Sequence, residues 1–540
     1  MKRSRASNNQ PQLIAALLDP RRGLLGAQRV RLIETHISWV LLAGRFAYKI
    51  KKAVDLGFLD FTTLRSRRFY CEEEIRLNRR LAPQLYLEAL PISGSPEHPV
   101  LGPTRSGQPA FEYAVKMRRF APNNLLDKLL SKGLVTPQHM DQLAALLAGF
   151  HHNLPPALPD SSYGAPASIL AAALQNFEQM QPLLADVPPP NQADLAQLAT
   201  IRQLTAAEFS AHENDFAARR AQGLVRECHG DLHLGNIALI RGKPVPFDGI
   251  EFSPALRWED IVSEIAFPVM DLQLHGQPAL AFRLLNAWLE AGGDYAGICV
   301  LRFYLAYRAM VRAKISAIRA AQPGLAARAK TQALAACLSY MALAEQTLTQ
   351  RHPALIITHG LPGSGKTTFA QLALEKFCAI RIRSDVERKR LFGLSPLESS
   401  RAGADIYSQE ATRRTYARLR DLARTALAAG YPVIVDAAFL RRDERTVFRT
   451  LADEIKVPFA IASLQASDAA LRARIAQRQA GARDASEADI GVLNLLQAAQ
   501  EPLDTREENC IEFKNGEDQA GYGQAQWRAL GKIIAGKQAP

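Results

Sequence analysis

Two segments of this chain carry residue types that handle phosphate groups, and the later segment has the more specific spacing. Residues 360–367 read Gly-Leu-Pro-Gly-Ser-Gly-Lys-Thr, which matches the pattern G-x-x-x-x-G-K-[ST]. In this pattern the glycines let backbone N–H groups surround a triphosphate, the lysine reaches the outer phosphates and the hydroxyl meets Mg²⁺. The spacing therefore predicts an ATP site. The residues assigned to it are Gly360, Gly363, Ser364, Gly365, Lys366, Thr367 and Thr368, with Thr367 also at the metal.

The earlier segment, residues 229–236, reads His-Gly-Asp-Leu-His-Leu-Gly-Asn. In kinases an Asp accepts the proton of the substrate hydroxyl, an Asn five positions later holds Mg²⁺, and an Asp on the next strand also binds the metal. Asp231, Asn236 and Asp248 have the types and order for these three roles. Oxygen ligands of this kind suit Mg²⁺. The pattern predicts Asp231 as a catalytic base, with Asn236 and Asp248 as metal ligands.

A metal-hydrolase site built from His229, Asp231 and His233 is an alternative interpretation of the same segment. It gives no role to Asn236 or Asp248, whereas the kinase interpretation uses both. The kinase interpretation is therefore favoured.

The chain before these motifs predicts the elements that would place a lysine beside the nucleotide. Runs 33–42 and 46–50 are strand-like and flank Gly44, which predicts a β-hairpin, and 64–81 predicts a charged helix. A kinase small lobe begins in this order, and a helix carboxylate holds its strand lysine near the phosphates. A solvated strand end beside a charged helix would have the same pattern. The candidates are Lys49, Lys51 and Lys52 for the lysine and Glu72, Glu73 and Glu74 for the carboxylate.

The motif at 229–236 resembles the catalytic loop of aminoglycoside phosphotransferases, and Phe-Asp-Gly-Ile-Glu at 247–251 resembles their metal-binding segment. Segments 34–39 and 48–52 also resemble a family in which such a kinase domain is fused to a P-loop kinase or ATPase domain, of zeta-toxin or polynucleotide-kinase type. This resemblance covers nearly the whole chain. It implies that Lys49 contacts phosphate and that Glu74 is its helix partner.

The resemblance also implies a fold and its boundaries. An α+β, two-lobed, protein-kinase-like domain is expected over 1–345, and an α/β P-loop domain with a parallel sheet over 354–540. The local pattern agrees for the second domain, since 354–358 is apolar and β-branched and 368–376 predicts a helix. The glycines then lie at a strand-to-helix turn, where the helix dipole favours anions.

Two acidic residues follow predicted strands of the second domain. Asp385 comes after the strand-like run 379–383, at the strand end where α/β sheets bind ligands. The arrangement Ser-Asp-x-x-Arg resembles P-loop small-molecule and polynucleotide kinases, which implies that Asp385 activates the acceptor hydroxyl and Arg388 contacts acceptor or phosphate. A simple helix N-cap at Asp385 is the alternative. Asp436 ends the strand-like run 431–436 and suits Mg²⁺ or its water shell, unless it only closes a turn.

Residues 471–479 predict a helix that carries Arg474 and Arg478 one turn apart, and Gly-Ala-Arg-Asp, in which the arginine is Arg483, follows it. This segment resembles the mobile lid of such kinases, which implies that Arg478 and Arg483 neutralise charge on the transferring phosphoryl group. A charged helix without a catalytic role is the alternative.

Composition limits the partners and the location. The chain has 540 residues and a net charge of +13, and 302–330 holds seven basic residues and no acidic one. A basic solvated helix face, an anionic substrate or the second domain would each explain that stretch. Nucleic acid is less favoured, since aromatic residues at 7% offer no evident stacking platform. No run approaches 18 apolar residues and no C-x-x-C pair occurs, which predicts a cytoplasmic protein without a zinc site.

The predicted function is ATP- and Mg²⁺-dependent transfer of phosphate to a hydroxyl of a small molecule, neutral or anionic, at two nucleotide sites. A regulatory protein whose domains bind nucleotide and change shape is one alternative. A kinase of nucleic-acid 5′-hydroxyl ends is another.

Overall fold

The computed structural model describes residues 9–22, 25–26, 29–57, 59–103, 107–185, 195–396, 398, 406–481, 485–504, 507–514 and 522–536. The chain divides into two compact units that interleave along the sequence. The first unit is Met1–Leu143, Gly149–Ser168 and Arg219–Pro268, and the second is Ala144–Ala148, Ile169–Ala218 and Val269–Pro540.

Strands and helices among the described residues are numbered in chain order. The strands are β1 (Val30–Glu34), β2 (Ser38–Ala43), β3 (Phe46–Lys51), β4 (Tyr86–Gly94), β5 (Pro99–Leu101), β6 (Glu112–Arg118), β7 (Val225–Glu227), β8 (Ile237–Ile240), β9 (Lys243–Pro246), β10 (Trp258–Asp260), β11 (Leu355–His359), β12 (Ile380–Arg383), β13 (Val433–Asp436), β14 (Phe459–Gln465) and β15 (Cys510–Lys514). The helices are α1 (Gln10–Leu18), α2 (Leu64–Asn78), α3 (Leu126–Leu130), α4 (Pro137–Asn153), α5 (Pro166–Ala185), α6 (Leu195–Ala211), α7 (Glu213–Ala221), α8 (Pro254–Arg257), α9 (Ile261–Leu274), α10 (Pro278–Gly292), α11 (Ile298–Ala320), α12 (Ala327–Thr349), α13 (Lys366–Phe377), α14 (Ser384–Leu391), α15 (Gln409–Ala428), α16 (Arg442–Ile455), α17 (Asp468–Gly481), α18 (Ile490–Ala499) and α19 (Gln524–Ala535).

The first unit contains a six-stranded antiparallel sheet in the order β1-β2-β3-β6-β4-β5. The side chains of neighbouring residues in β2 point to opposite faces of this sheet, because side chains alternate along a strand. Leu41 packs with α1, and Leu42 packs with Ile75 of α2. The predicted hairpin around Gly44 is confirmed. The run predicted as one strand over 33–42 is instead two strands, because the backbone N–H of Ser38 donates to Thr35 Oγ1 in a turn between them.

Helix α2 places a carboxylate on its buried side. Its buried residues Cys71, Glu74, Ile75 and Asn78 follow the i, i+3, i+4, i+7 spacing of one helix face. The helix begins where Thr63 accepts a hydrogen bond from the backbone N–H of Ser66. Glu74 is therefore buried together with the apolar residues of α2 that pack on the sheet.

The second unit contains a five-stranded sheet in the order β12-β13-β11-β14-β15, with every pair parallel. Central strand β11 is buried throughout, and burial on both faces fits its apolar start Leu355-Ile356-Ile357. Helices α13, α15 and α16 pack against this sheet. The carboxyl ends of β11, β12 and β13 lead directly into 360–367, Ser384 and the turn after Asp436. Both parts of the predicted fold class, a kinase-like α+β fold and a parallel α/β P-loop fold, are confirmed.

The basic stretch at 302–330 lies mostly on α11 in this second unit. Arg302 and Arg308 are buried, so the interpretation as a solvated face is wrong for these two residues. Arg302 donates to the carbonyl oxygens of Gln350, at 2.8 Å, and Ala429, at 3.2 Å. Its charge therefore holds backbone carbonyls together and is not offered to a ligand.

None of the described helices combines the length and apolar character needed to span a bilayer.

Candidate functional site

Two lysines of β3 meet one buried carboxylate in the first unit. Lys49 Nζ lies 2.9 Å from Glu74 Oε1, and Lys51 Nζ lies 2.7 Å from Glu74 Oε2. All three side chains are buried, which excludes a solvated strand end at this point. Lys52 instead pairs with the exposed carboxylate of Glu34.

The two lysines differ in their second partners. Lys49 Nζ lies 2.7 Å from Asp248 Oδ1, whose side chain is 45% exposed, while Lys51 pairs with buried Glu251. Lys51 is thus enclosed between two buried carboxylates, and only Lys49 contacts a side chain that reaches open space. The structure places Lys49 beside Asp248, as the phosphate lysine would need. Glu251 was not predicted as a partner, although it lies in the segment 247–251 that suggested the metal site.

Burial raises the pKa of Glu74, but the ammonium groups of Lys49 and Lys51 outweigh it and lower that pKa to about 2 from an ordinary 4.5. Glu74 is therefore ionised, and its contribution to stability is present above pH 4.5 and lost as the pH falls toward 2.

We expect Glu74→Gln to destabilise the six-stranded sheet by about 3–5 kcal/mol, because it leaves two buried ammonium groups without their shared carboxylate. Hydrogen–deuterium exchange of β3 and α2, followed by mass spectrometry, measures this loss of stability as a lower free energy of local opening. Glu72→Gln is the matched control on the same helix, since Glu72 makes an exposed pair with Arg68 and should cost less than about 1 kcal/mol. Equal effects of the two changes would contradict the assignment.

The catalytic-loop motif brings Asp231 and Asn236 into direct contact. Asn236 Nδ2 donates to the backbone oxygen of Asp231 at 2.9 Å and to its Oδ2 at 3.1 Å. Asn236 thereby orients the Asp231 carboxylate, whose side chain is 36% exposed. His233 Nε2 lies 3.5 Å from the same carboxylate oxygen.

His229 is a structural residue of this loop. Its Nε2 lies 2.9 Å from the carbonyl oxygen of Phe247, and its Nδ1 accepts the backbone N–H of Asp231 at 3.3 Å. Burial lowers the pKa of His229, which favours the neutral ring that these two bonds require. Because both ring nitrogens are engaged within the protein, the geometry disfavours the metal-hydrolase alternative.

Three residues that sequence reasoning missed hold the backbone of this site. Glu264 accepts the backbone N–H of His229 at 3.0 Å, Asn78 Oδ1 accepts that of Gly249 at 2.8 Å, and the Tyr86 hydroxyl accepts that of Asp248 at 3.0 Å. Asp248 has φ +63°, a conformation unfavourable outside glycine, so these bonds help to maintain it. No local motif marks such residues, since each acts across a long sequence separation.

In the second unit, the glycine-rich segment folds tightly against its neighbours. A Cβ on Gly360 would lie 2.5 Å from the carbonyl oxygen of Leu464, and one on Gly363 would lie 2.9 Å from that of Leu471. Both positions therefore require glycine. Lys366 Nζ donates to the carbonyl oxygens of Gly360 and Leu361, each at 2.9 Å, so the lysine lies over the loop.

Asp436 ends β13 as a buried carboxylate. Its Oδ2 accepts no hydrogen bond from any residue that the structure describes, and it lies 3.7 Å from Arg383 Nε. Burial raises the pKa of Asp436, while Arg383, Arg381, Lys366 and a hydrogen bond from Thr367 act against that rise. A buried carboxylate oxygen without a donor is costly, and a cation or its bound water would satisfy it. Asp436 and Thr367 thus fit a Mg²⁺ site.

A single cleft of about 1170 Å³ gathers the predicted residues of this unit. Those that line it are Gly363, Gly365, Lys366, Thr367, Thr368, Asp385, Arg388, Asp436 and Arg478. Gly360 and Ser364 belong to the loop behind the lining, and Arg483 lies outside the described residues. Arg474, one turn before Arg478 on the predicted lid helix, also lines the cleft and donates to the carbonyl oxygen of Gly363 at 3.2 Å.

The predicted acceptor residues of this cleft, Asp385 and Arg388, lie on α14. The helix begins at Ser384 and its N-cap is Arg383, which makes no side-chain capping bond, so Asp385 lies inside the first turn and is not the cap. Arg388 Nη1 donates to the carbonyl oxygen of Ile406 at 2.9 Å and to Thr412 Oγ1 at 3.1 Å. Asp385 is thus placed toward the cleft without a capping role, and Arg388 is held rigidly beside it.

The fold is that of a kinase-like part of the aminoglycoside-phosphotransferase type fused to a P-loop part with a parallel sheet. A family model described as an AAA domain matches residues 355–503. The chain belongs to the same family as uncharacterized proteins of Mycobacterium tuberculosis (strain H37Rv) and Mycobacterium bovis, to which it is 30% identical over 467 residues. That alignment covers 86% of this chain and 89% of each relative.

Solved structures resemble separate parts of the chain. A choline kinase from Cryptosporidium parvum is 12% identical with a TM-score of 0.39, and it covers 59% of this chain and 88% of its own. A gluconokinase from Sinorhizobium meliloti is 19% identical with a TM-score of 0.26, and it covers 34% of this chain and 95% of its own. Choline and gluconate are substrates named for those proteins alone.

Proposed function

We propose that this protein is an ATP- and Mg²⁺-dependent phosphotransferase that acts on a hydroxyl of a small acceptor. The observation that carries the proposal is the cleft where Lys366, Thr367 and Asp436 line the same space as Asp385 and Arg388. Phosphoryl transfer needs positioning and charge neutralisation more than covalent chemistry, and this set supplies groups for both.

The roles in the P-loop cleft follow from residue chemistry. The loop backbone and Lys366 bind the triphosphate, and Thr367 with Asp436 hold Mg²⁺, which would neutralise charge on the phosphate oxygens. Asp385 accepts the proton of the acceptor hydroxyl. Arg388 contacts the acceptor. The arginines that balance the charge of the transferring group are Arg474 and Arg478, with Arg483 as a further lid residue.

The first unit supports a second site of the same reaction class. Lys49 joins Glu74 to Asp248, which would place an ammonium group between the helix carboxylate and the metal ligands. There Asn236 and Asp248 would hold Mg²⁺, and Asp231 would accept the hydroxyl proton.

The decisive experiment measures ATP turnover of the purified full chain with sugars, polyols, nucleosides and 5′-hydroxyl oligonucleotides. An acceptor belongs to the site of the first unit if its phosphorylation falls in Asp231→Asn. It belongs to the P-loop cleft if its phosphorylation falls in Asp385→Asn. Nucleotide binding without acceptor-dependent turnover would favour the nucleotide-switch alternative. Oligonucleotide binding that weakens steeply with salt would favour the nucleic-acid kinase.

We expect Arg388→Ala to raise the KM for the acceptor about 10-fold or more and to leave ATP affinity nearly unchanged, since a charged hydrogen bond contributes about 1.5–3 kcal/mol. Steady-state kinetics with the acceptor varied at saturating ATP measures this. Arg413→Ala is the matched control, because Arg413 lines the same cleft but is largely exposed. A variant that loses ATP affinity and acceptor affinity equally would contradict the assignment of Arg388.

A further inference from the structure

Strand β12 is at one edge of the parallel sheet, and side chains of α10 and of Tyr295, which follows that helix, bind the backbone groups at this edge. Asn286 Nδ2 donates to the carbonyl oxygen of Ala379 at 2.8 Å, and Asn286 Oδ1 accepts the backbone N–H of Arg381 at 2.6 Å. The Tyr295 hydroxyl donates to the carbonyl oxygen of Arg381 at 3.2 Å. These side chains satisfy the edge as another strand would. A helix that precedes the P-loop in sequence is thus built into the P-loop fold.

Glu290 lies one helical turn beyond Asn286 on α10 and binds two arginines of β12. Its Oε2 lies 2.8 Å from Arg381 Nη2, and its Oε1 lies 2.7 Å from Arg383 Nη1. Burial raises the pKa of Glu290, but Arg383 and Arg381 outweigh it and lower that pKa below its ordinary value. Glu290 is therefore a charged anchor for both guanidinium groups.

The guanidinium of Arg383 lies between two carboxylates. Its Nη1 bonds to Glu290, and its Nε lies 3.7 Å from Asp436 Oδ2, which is too long for a hydrogen bond. Arginine forms strong paired hydrogen bonds with a carboxylate when the geometry allows. Arg383 thus forms a hydrogen bond with Glu290 and only a longer ion pair with Asp436.

We propose that Glu290 is a positioning residue that holds Arg383 off Asp436 and so keeps that carboxylate available to a divalent cation. The proposal rests on the proposed function, in which Asp436 serves the metal of the P-loop site. It deepens that function, because a helix that precedes the P-loop in sequence then sets the metal affinity of the P-loop site. Removal of the Glu290 charge would let Arg383 pair with Asp436 and compete with the cation.

The test measures Mn²⁺ binding, by electron paramagnetic resonance, in the presence of the ATP analogue AMP-PNP. Every protein carries Asp248→Ala, so that the proposed metal ligand of the first unit is absent. Glu290→Gln should raise the dissociation constant for Mn²⁺ about 10-fold or more. The double variant Glu290→Gln with Arg383→Gln should restore it to within about 3-fold of the parent, because the competing cation is gone.

A matched control removes another ion pair of α10. Glu375→Gln breaks the pair with Arg283, 2.7 Å apart, and should leave Mn²⁺ affinity unchanged. If Glu290→Gln fails to fold, Arg383→Gln alone should still bind Mn²⁺ at least as tightly as the parent.

Three results would overturn the proposal. They are unchanged Mn²⁺ affinity in folded Glu290→Gln, a loss that Arg383→Gln does not restore, and weaker binding in Arg383→Gln alone. Mn²⁺ and AMP-PNP binding that behaves as expected, in a chain that phosphorylates no acceptor, would remove the kinase function and leave the role of Glu290 intact.

Discussion

Asp385→Asn is expected to cut acceptor turnover at the P-loop site by about 10²–10⁴-fold while ATP affinity stays nearly unchanged. The substitution keeps the shape of the side chain and removes its capacity to accept a proton. Asp385 lines the cleft with Lys366 and does not cap α14, so its carboxylate is available to an acceptor hydroxyl. Acceptor turnover, ATP affinity and melting temperature should be measured on one sample.

Asp443→Asn provides the control for this change, because Asp443 also lines the cleft but is largely exposed at the start of α16. It should keep most of the turnover. If Asp385→Asn were less stable by about 1 kcal/mol but fully active, Asp385 would be a helix-terminus residue and the catalytic assignment would be wrong.

Lys366→Ala is expected to weaken nucleotide binding at the P-loop strongly and to leave the first unit able to bind. Lys366 is the one lysine that the glycine-rich motif directs at the phosphates, and its ammonium group already lies against the loop carbonyls of Gly360 and Leu361. Loss of that charge should weaken ATP affinity at this site on the order of 10²-fold. Equilibrium binding of labelled ATP should give a stoichiometry of about two in the native chain and about one in the variant.

Asp248→Ala provides the reciprocal test in the first unit, where it removes the partner of Lys49 and a proposed metal ligand. It should lower Mg²⁺-dependent nucleotide binding there and leave the P-loop site unchanged. Lys52→Ala, which removes the pair with Glu34 and a cation–π contact with Trp39, should bind two nucleotides as the native chain does. A native stoichiometry of one would show that the two sites do not both bind nucleotide.

Short-range patterns were sufficient for the elements around each motif. The hairpin at Gly44, the α2 helix, the strand before the glycine-rich loop and the strands that end near Asp385 and Asp436 all follow local sequence signals. The turn inside 33–42 was not predicted from the sequence. Thr35 and Ser38 form it through a hydrogen bond that the alternation of apolar and polar residues does not reveal.

Motif spacing also specified the chemistry that each half of this protein can support. The glycines, Lys366 and Thr367 form a phosphate site through backbone conformation and local contacts, which depend on neighbouring residues only.

By contrast, the choice between Lys49 and Lys51 required the folded chain. Lys49 reaches Asp248 across 199 positions, and Lys51 reaches Glu251 across 200. Burial and charge at these lysines come from distant segments, so no local pattern could separate them.

Glu290 and Arg302 show the same dependence on tertiary structure. In sequence each is an ordinary charged residue on a helix, and the basic stretch around Arg302 looked solvated. Helix α10 packs against β12 and α11 packs against α15. These contacts leave Glu290 partly buried beside Arg383, and Arg302 buried against backbone carbonyls. Local sequence therefore set the helices, strands and motifs, because their energies come from near neighbours. Which charges are buried and which partners they bind depended on residues far apart in the chain, because only folding brings those residues within hydrogen-bond distance.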